Sequence, residues 1–127
     1  MVKAIQAARL AARKAIESTY DGLCTVIELK KEKDELTKLT KKQPVIVLES
    51  QPCKLSFEII KAVNQSESVA SVTQTTKLFI SPDISIKPGS KITVTQAGKT
   101  TDYTYSGVPA VYDTHQEIML ELFEDWS

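Results

Sequence analysis

The stretch from Pro82 to Tyr105, PDISIKPGSKITVTQAGKTTDYTY, constrains the fold more than any other part of the chain. Pro88-Gly89 is a turn signal, because proline presets φ and glycine tolerates positive φ. After it Ile92 and Val94 alternate with Lys91, Thr93 and Thr95, the period-two pattern of a half-buried strand. AGK at 97–99 is a tight hairpin signal, and the returning segment places Tyr103 and Tyr105 on one face. A chain with such closely spaced turns builds short antiparallel strands.

The same texture extends along most of the sequence. Segment 23–29, LCTVIEL, alternates with Leu23, Thr25, Ile27 and Leu29 on one face. PVIVLES at 44–50 reads as a second strand, and CKLSFEI at 53–59 as a third with Leu55 and Phe57 on one side. KLFISP at 77–82 resumes strand character. In HQEIMLELF at 115–123, Ile118, Leu120 and Leu122 point one way and His115, Glu117, Met119 and Glu121 the other.

Two segments lack apolar periodicity. KKEKDELTKLTKK at 30–42 sets six Lys against three acids and reads as a solvated hairpin or loop. The segment 59–76 is polar and free of Gly and Pro, and fits a short helix or a mobile loop. Long loops in compact domains tend to be functional.

Residues 1–21 are different. The stretch is Ala-rich, and Ile5, Ala8, Ala12, Ala15 and Ile16 fall at spacings of three and four, giving a narrow apolar stripe on a helix. Gly22 is the expected C-terminal stop. Arginines interrupt what would be the apolar block of a secretory signal, and Glu17 and Asp21 follow too soon for a mitochondrial presequence. No apolar run approaches the roughly 20 residues that span a bilayer.

The expected fold is therefore mainly β. It is a small antiparallel β-barrel or sandwich of six to seven short strands with an N-terminal α-helix. The chain forms one domain over 1–127, with the helix in 1–21, the barrel in 22–127 and loops at 30–42 and 59–76. A chain of 127 residues leaves little room for a second core. With three Phe, four Tyr and one Trp, that core is expected to be mostly aliphatic.

Few residues invite chemistry. His115 is the only histidine and is expected at the rim of a strand with a charged outer face. A general base there would need a nucleophile or second acid beside it, for which Ser106, Cys24 and Asp113 are the nominal choices. His115 with Glu117 gives only two metal ligands. Cys24 and Cys53 lie 29 positions apart with no CxxC spacing, which suits two buried thiols and leaves a disulfide open. Phosphate-loop, dinucleotide and hydrolase motifs are absent. No catalytic residue, cofactor or metal is expected.

Charge is balanced overall but uneven along the chain. Residues 1–54 carry 11 basic and 7 acidic groups, whereas 113–127 carry 5 acidic groups and no Lys or Arg. A basic start and an acidic end suit head-to-tail assembly, in which a heterologous contact closes into a ring. Lys3, Arg9, Arg13 and Lys14 are the candidate basic side. Glu117, Glu121, Glu124 and Asp125 are the acidic side, with Tyr112 and Trp126 as anchors and His115 as a neighbouring interface residue.

The stretch LFISPDISIKPGSKITVTQAGKTTDYTYSGVPAVYDTHQEIMLEL resembles small head–tail connector proteins of long-tailed bacteriophages, the head-completion or minor capsid proteins of Gram-positive phages and prophages. The matching residues are Ile84, Ile86, Gly89, Ile92, Val94, Gly98, Tyr103, His115, Glu117 and Ile118. YDGLCTV and QPCKLSF add to the likeness, which covers most of the chain. The resemblance implies a non-enzymatic ring at the portal–tail junction that closes the DNA channel after packaging and docks the tail. The implied location is the phage neck, reached from the bacterial host cytoplasm during assembly. The implied partners are further copies of the chain, a portal or adaptor protein, and a tail-completion or tail-tube protein. The chain is monomeric in isolation if the portal templates the ring. Non-specific contact with packaged DNA is a further expectation, and contact with a membrane is not. In stopper-type relatives one long loop plugs the channel. Segment 59–76, with Lys61, Asn64, Gln65, Ser66, Ser68 and Gln74, is the candidate here, and the lysines of 30–42 are the other choice. The N-terminal helix is closer to adaptor-type connectors, so stopper and adaptor both stay open. The alternative function is tail completion or another small β-barrel interaction module of the virion.

Overall fold

The computed structural model describes residues 2–33, 35–64 and 69–126, without the side chains of residues 2 and 60–73. Helix α1 covers Val2–Glu17, and seven strands follow: β1 Gly22–Lys33, β2 Thr40–Asn64, β3 Val69–Ile80, β4 Lys91–Gln96, β5 Lys99–Thr104, β6 Ala110–Val111 and β7 Gln116–Leu122. The strands hydrogen-bond in the order β3-β2-β1-β4-β5-β7-β6, and β3 also pairs with β7. The sheet therefore closes on itself as a six-stranded antiparallel barrel, with β6 added beside the start of β7. Closure removes free edges from the barrel wall.

The turn signals do what their chemistry predicts. Ser90 N–H bonds Lys87 O at 3.2 Å, with Gly89 at φ 85°, so Pro88-Gly89 forms a type II turn. Ala97 and Gly98 both have positive φ, 53° and 76°, as a two-residue type I′ hairpin requires. The core holds Cys24, Val26, Cys53, Leu55, Leu78, Ile80, Ile86, Ile92, Val94, Tyr103, Tyr105, Ile118 and Leu120. Both cysteines are free and fully buried. Buried polar side chains tie the wall to the loop at 81–86. Gln116 Nε2 donates to Ser81 O at 2.8 Å and to Ile84 O at 2.5 Å, and Tyr105 Oη donates to Ile86 O.

Several expectations need correction. Helix α1 stops at Glu17 without a glycine cap. The hydroxyls of Ser18 and Thr19 donate to Ala15 O and Ile16 O, each at 2.6 Å, and so satisfy the last carbonyls. Gly22 instead opens β1 in a crowded position. A Cβ there would lie 3.1 Å from both Cys53 O and Gln96 Oε1. In β1 the core takes Cys24 and Val26, while Leu23 is exposed. Both faces of LCTVIEL are partly apolar, so alternation alone does not choose between them.

Of the two segments without apolar period, 30–42 is the hairpin of its two readings, whereas 59–76 is neither helix nor loop where it is described. Segment 30–42 contains the end of β1 and the start of β2, paired through Lys33↔Thr40. Segment 59–76 is the continuous β2–β3 ladder from Ile59↔Gln74 to Asn64↔Val69. PVIVLES and CKLSFEI are not two strands but parts of β2, a single strand of 25 residues. In both segments the backbone of one strand pairs with that of the next, a demand that any side-chain pattern can meet. The β1–β2 and β2–β3 hairpins consequently extend as two-stranded arms from opposite ends of β2's barrel segment. Two register shifts between Cys24 and Ile27, with Ser50 at φ 52°, bend β2 where it runs along the wall.

Candidate functional site

The surfaces available for contact lie on α1, on the strip around His115 and on the two arms. The helix meets the barrel through its second half. Arg13 Nη2 donates to Ser81 Oγ at 2.5 Å and to Asp83 Oδ2 at 2.8 Å, and its Nε lies 3.3 Å from Glu17 Oε1. The bond to Asp83, together with Glu17 but against desolvation, raises the Arg13 pKa above its ordinary value. Arg9 pairs with Asp113 at 3.3 Å. Lys3 and Lys14 are exposed, as are Ile5 and Leu10.

His115 stands just before β7. Its ring stacks on Tyr112 with centroids 4.9 Å apart and lies 5.7 Å from Phe79. Nδ1 faces Thr114 Oγ1 and Nε2 faces Glu117 Oε2, each at 3.0 Å. Lys77 Nζ reaches Glu117 Oε1 at 3.5 Å. The hydrogen bond from His115, aided by Lys77, outweighs burial and holds the Glu117 carboxyl below its ordinary pKa. The three nominal catalytic partners are engaged elsewhere: Asp113 pairs with Arg9, Ser106 bonds Glu121, and Cys24 is buried in the core. Burial and the thiol of Cys24 push the Cys53 thiol up, the Cys24 contact being the larger cause. Among the described residues no group of three or more His, Cys, Asp or Glu side chains is placed to hold a metal.

The acidic end is only partly free. Glu117 is held by His115 and Lys77, and Ser106 Oγ donates to Glu121 Oε1 at 3.1 Å. Asp125 Oδ1 accepts from Trp126 N–H at 2.8 Å, and Glu124 is exposed. Trp126 packs edge-on against Phe123 at 5.0 Å. Arg9 and Arg13 thus meet acids of their own chain, Asp113 and Asp83, neither of which the charge layout singled out for them. The exposed charges left for a neighbour are chiefly Lys3, Lys14, Glu124 and Asp125.

Of the candidate channel residues, Lys61 and Asn64 occupy β2 opposite Val72 and Val69. Gln74 is exposed on β3, while Gln65, Ser66 and Ser68 lie outside the described residues. Sequence reading missed Ser81 and Asp83 as the seat of the helix, and the half-buried Gln96 and buried Gln116 as clamps. Polar residues beside Pro82, or inside an apolar alternation, were the available signals.

Among the described residues no helix is long and apolar enough to cross a membrane. No family model matches the chain, and no curated protein matches it. Among solved structures, the chain is similar to the phage-like element PBSX protein xkdH from Bacillus subtilis, at 13% identity and a TM-score of 0.49, over 79% of this chain and 91% of that one.

Proposed function

We propose that the chain is a non-catalytic structural subunit of a phage or prophage virion. In this reading it forms a homo-oligomeric ring at the portal–tail junction, where it closes the DNA channel and docks the tail. The observation that carries the reading is where the chain spends its apolar surface. Ile5 and Leu10 on the helix, Leu39 on the β1–β2 arm and Ile59 on the β2–β3 arm are exposed, and so are Ile46, Val47 and Phe57 where β2 crosses the wall. Exposed apolar groups of this size suit contacts with further chains. The residues that carry the family resemblance fit the same reading. Ile86, Ile92, Val94, Tyr103 and Ile118 fill the core, and Gly89 and Gly98 make the positive-φ turns.

The portal or adaptor lies on one side of the ring and the tail-completion or tail-tube protein on the other, which places the subunit in the neck. The β2–β3 arm takes the role first assigned to a channel loop, as a hairpin rather than a loop. The deciding experiment deletes the gene in its phage or prophage and combines electron microscopy with an assay for protected DNA. Tailless heads that leak DNA, beside free normal tails, are expected. Intact infectious virions would remove the role, and full heads beside malformed tails would move the protein to tail completion.

A further inference from the structure

The β1–β2 arm separates its charges by face. Directly opposed residues share a face of a β-ribbon, and the pairing sets Lys31 against Lys42 and Lys33 against Thr40. That face continues into Leu29 and Pro44 and carries three lysines and no acid among the described residues. The other face is balanced, with Glu28 and Glu32 against Lys30 and Lys41. Like charges directly opposite one another oppose strand pairing. No ion pair relieves Lys31, Lys33 or Lys42 among the described residues. The one acid at the base, Glu28, is taken by Lys87 at 3.7 Å. Lys87 and the sole tryptophan, Trp126, line an open basin of about 620 Å³ beside Lys31 and Lys42.

We infer that this lysine face binds the phosphate backbone of duplex DNA without reading its sequence. A two-stranded ribbon is of a width that enters or spans the major groove, and lysines without a bidentate fork suit phosphate rather than base contacts. No aromatic side chain stands on the lysine face itself, and the neighbouring Trp126 packs edge-on against Phe123, which favours duplex over single strand. The inference stands on the arm alone, so its failure would leave the proposed ring untouched.

The test titrates the purified full chain into a fluorescently labelled duplex of about 30 base pairs at about 20 mM salt, reading anisotropy and Trp126 fluorescence together. Binding is expected with equal affinity for unrelated sequences. The salt slope should be near −2 to −3, or about −0.9 per lysine. The Lys31→Glu/Lys42→Glu variant should weaken binding at least about tenfold, and the helix variant Lys3→Glu/Lys14→Glu less than about twofold, both with unchanged melting curves. No anisotropy change at low salt would overturn the inference, as would equal losses in the two variants. Tighter binding to poly-glutamate than to duplex would overturn it too, and would assign the face to an acidic protein.

Discussion

Gln96 and Leu55 are joined through both polar ends of one side chain. Gln96 Oε1 accepts from Leu55 N–H at 2.8 Å, and Nε2 donates to Leu55 O at 3.4 Å. β1 begins at Gly22, opposite Cys53, so two residues further on β2 has no neighbour on that side. The amide of Gln96 stands in for the missing strand at a buried position. Gln96→Leu keeps the bulk and orphans the Leu55 N–H, at an expected cost of about 1–3 kcal/mol in urea unfolding. Gln96→Glu retains the acceptor and should lose less. Unchanged stability of the leucine variant would show that the bond contributes nothing.

Two tyrosines whose hydroxyls are buried should respond oppositely to the same substitution. Tyr105 Oη donates to Ile86 O, so Tyr105→Phe strands a buried carbonyl and is expected to cost about 1–2 kcal/mol. Tyr20 Oη is buried with no partner among the described residues, and burial raises its pKa. Tyr20→Phe should therefore be neutral or stabilising by up to about 1 kcal/mol. Thermal melts of the two variants side by side decide the matter.

The His115–Glu117 pair should register in acid. A carboxylate whose pKa falls on folding adds stability that is fully present above its unfolded value, here ordinarily 4.5, and is lost as pH falls through the lower folded value. Glu117→Gln is expected to flatten the acid limb of the melting temperature against pH while leaving the fold intact. His115→Ala should also fold, with an acid limb shallower than that of the parent chain. An unchanged acid limb in both variants would mean that the pair is not formed in solution.

The facing lysines of the β1–β2 arm predict a gain of local order on charge reversal. Lys31→Glu replaces a repulsive cross-strand pair by an attractive one, worth about 0.2–1 kcal/mol. Hydrogen exchange should slow for amides of 28–45 and stay unchanged in the barrel wall. Slower exchange throughout would mean that the arm and the wall open together.

Arg13 is the bolt of the helix. Arg13→Ala removes its bonds to Ser81 and Asp83, costing about 1–3 kcal/mol at that contact. The expected result is fast exchange of the α1 amides over an unaltered barrel transition. Loss of the barrel transition itself would show that helix and barrel fold as one unit.

What could be read in advance followed from how locally each feature is determined. The 87–90 turn and the 96–99 hairpin rest on the backbone chemistry of two or three residues, so PG and AG sufficed. Tyr103, Ile118 and Leu120 sit on strands with one apolar face, and Tyr105 keeps the same phase just past β5, so period two placed them. The inward face of β1 was hidden because both faces of LCTVIEL carry apolar residues, so alternation could not choose Cys24 and Val26. The arms were hidden because backbone pairing alone makes their ladders, and that leaves no required period in the side chains. For the β2–β3 arm, the β-branched run VASVTQTT was the remaining signal. Asp113 for Arg9 and Asp83 for Arg13 lie 104 and 70 positions away and depended on how the barrel closed.

Strand β2 is continuous from the lysine arm through the wall to the other hairpin, so the arms are the two overhanging ends of one beam clamped at its middle. A clamped beam cannot lengthen, but it can twist. Between the two ends lies the left-handed Ser50 with its two register shifts, and torque applied at the lysine end has to pass that bend to reach the far hairpin. The bend at Ser50 thus fixes the angle between whatever the two arms touch.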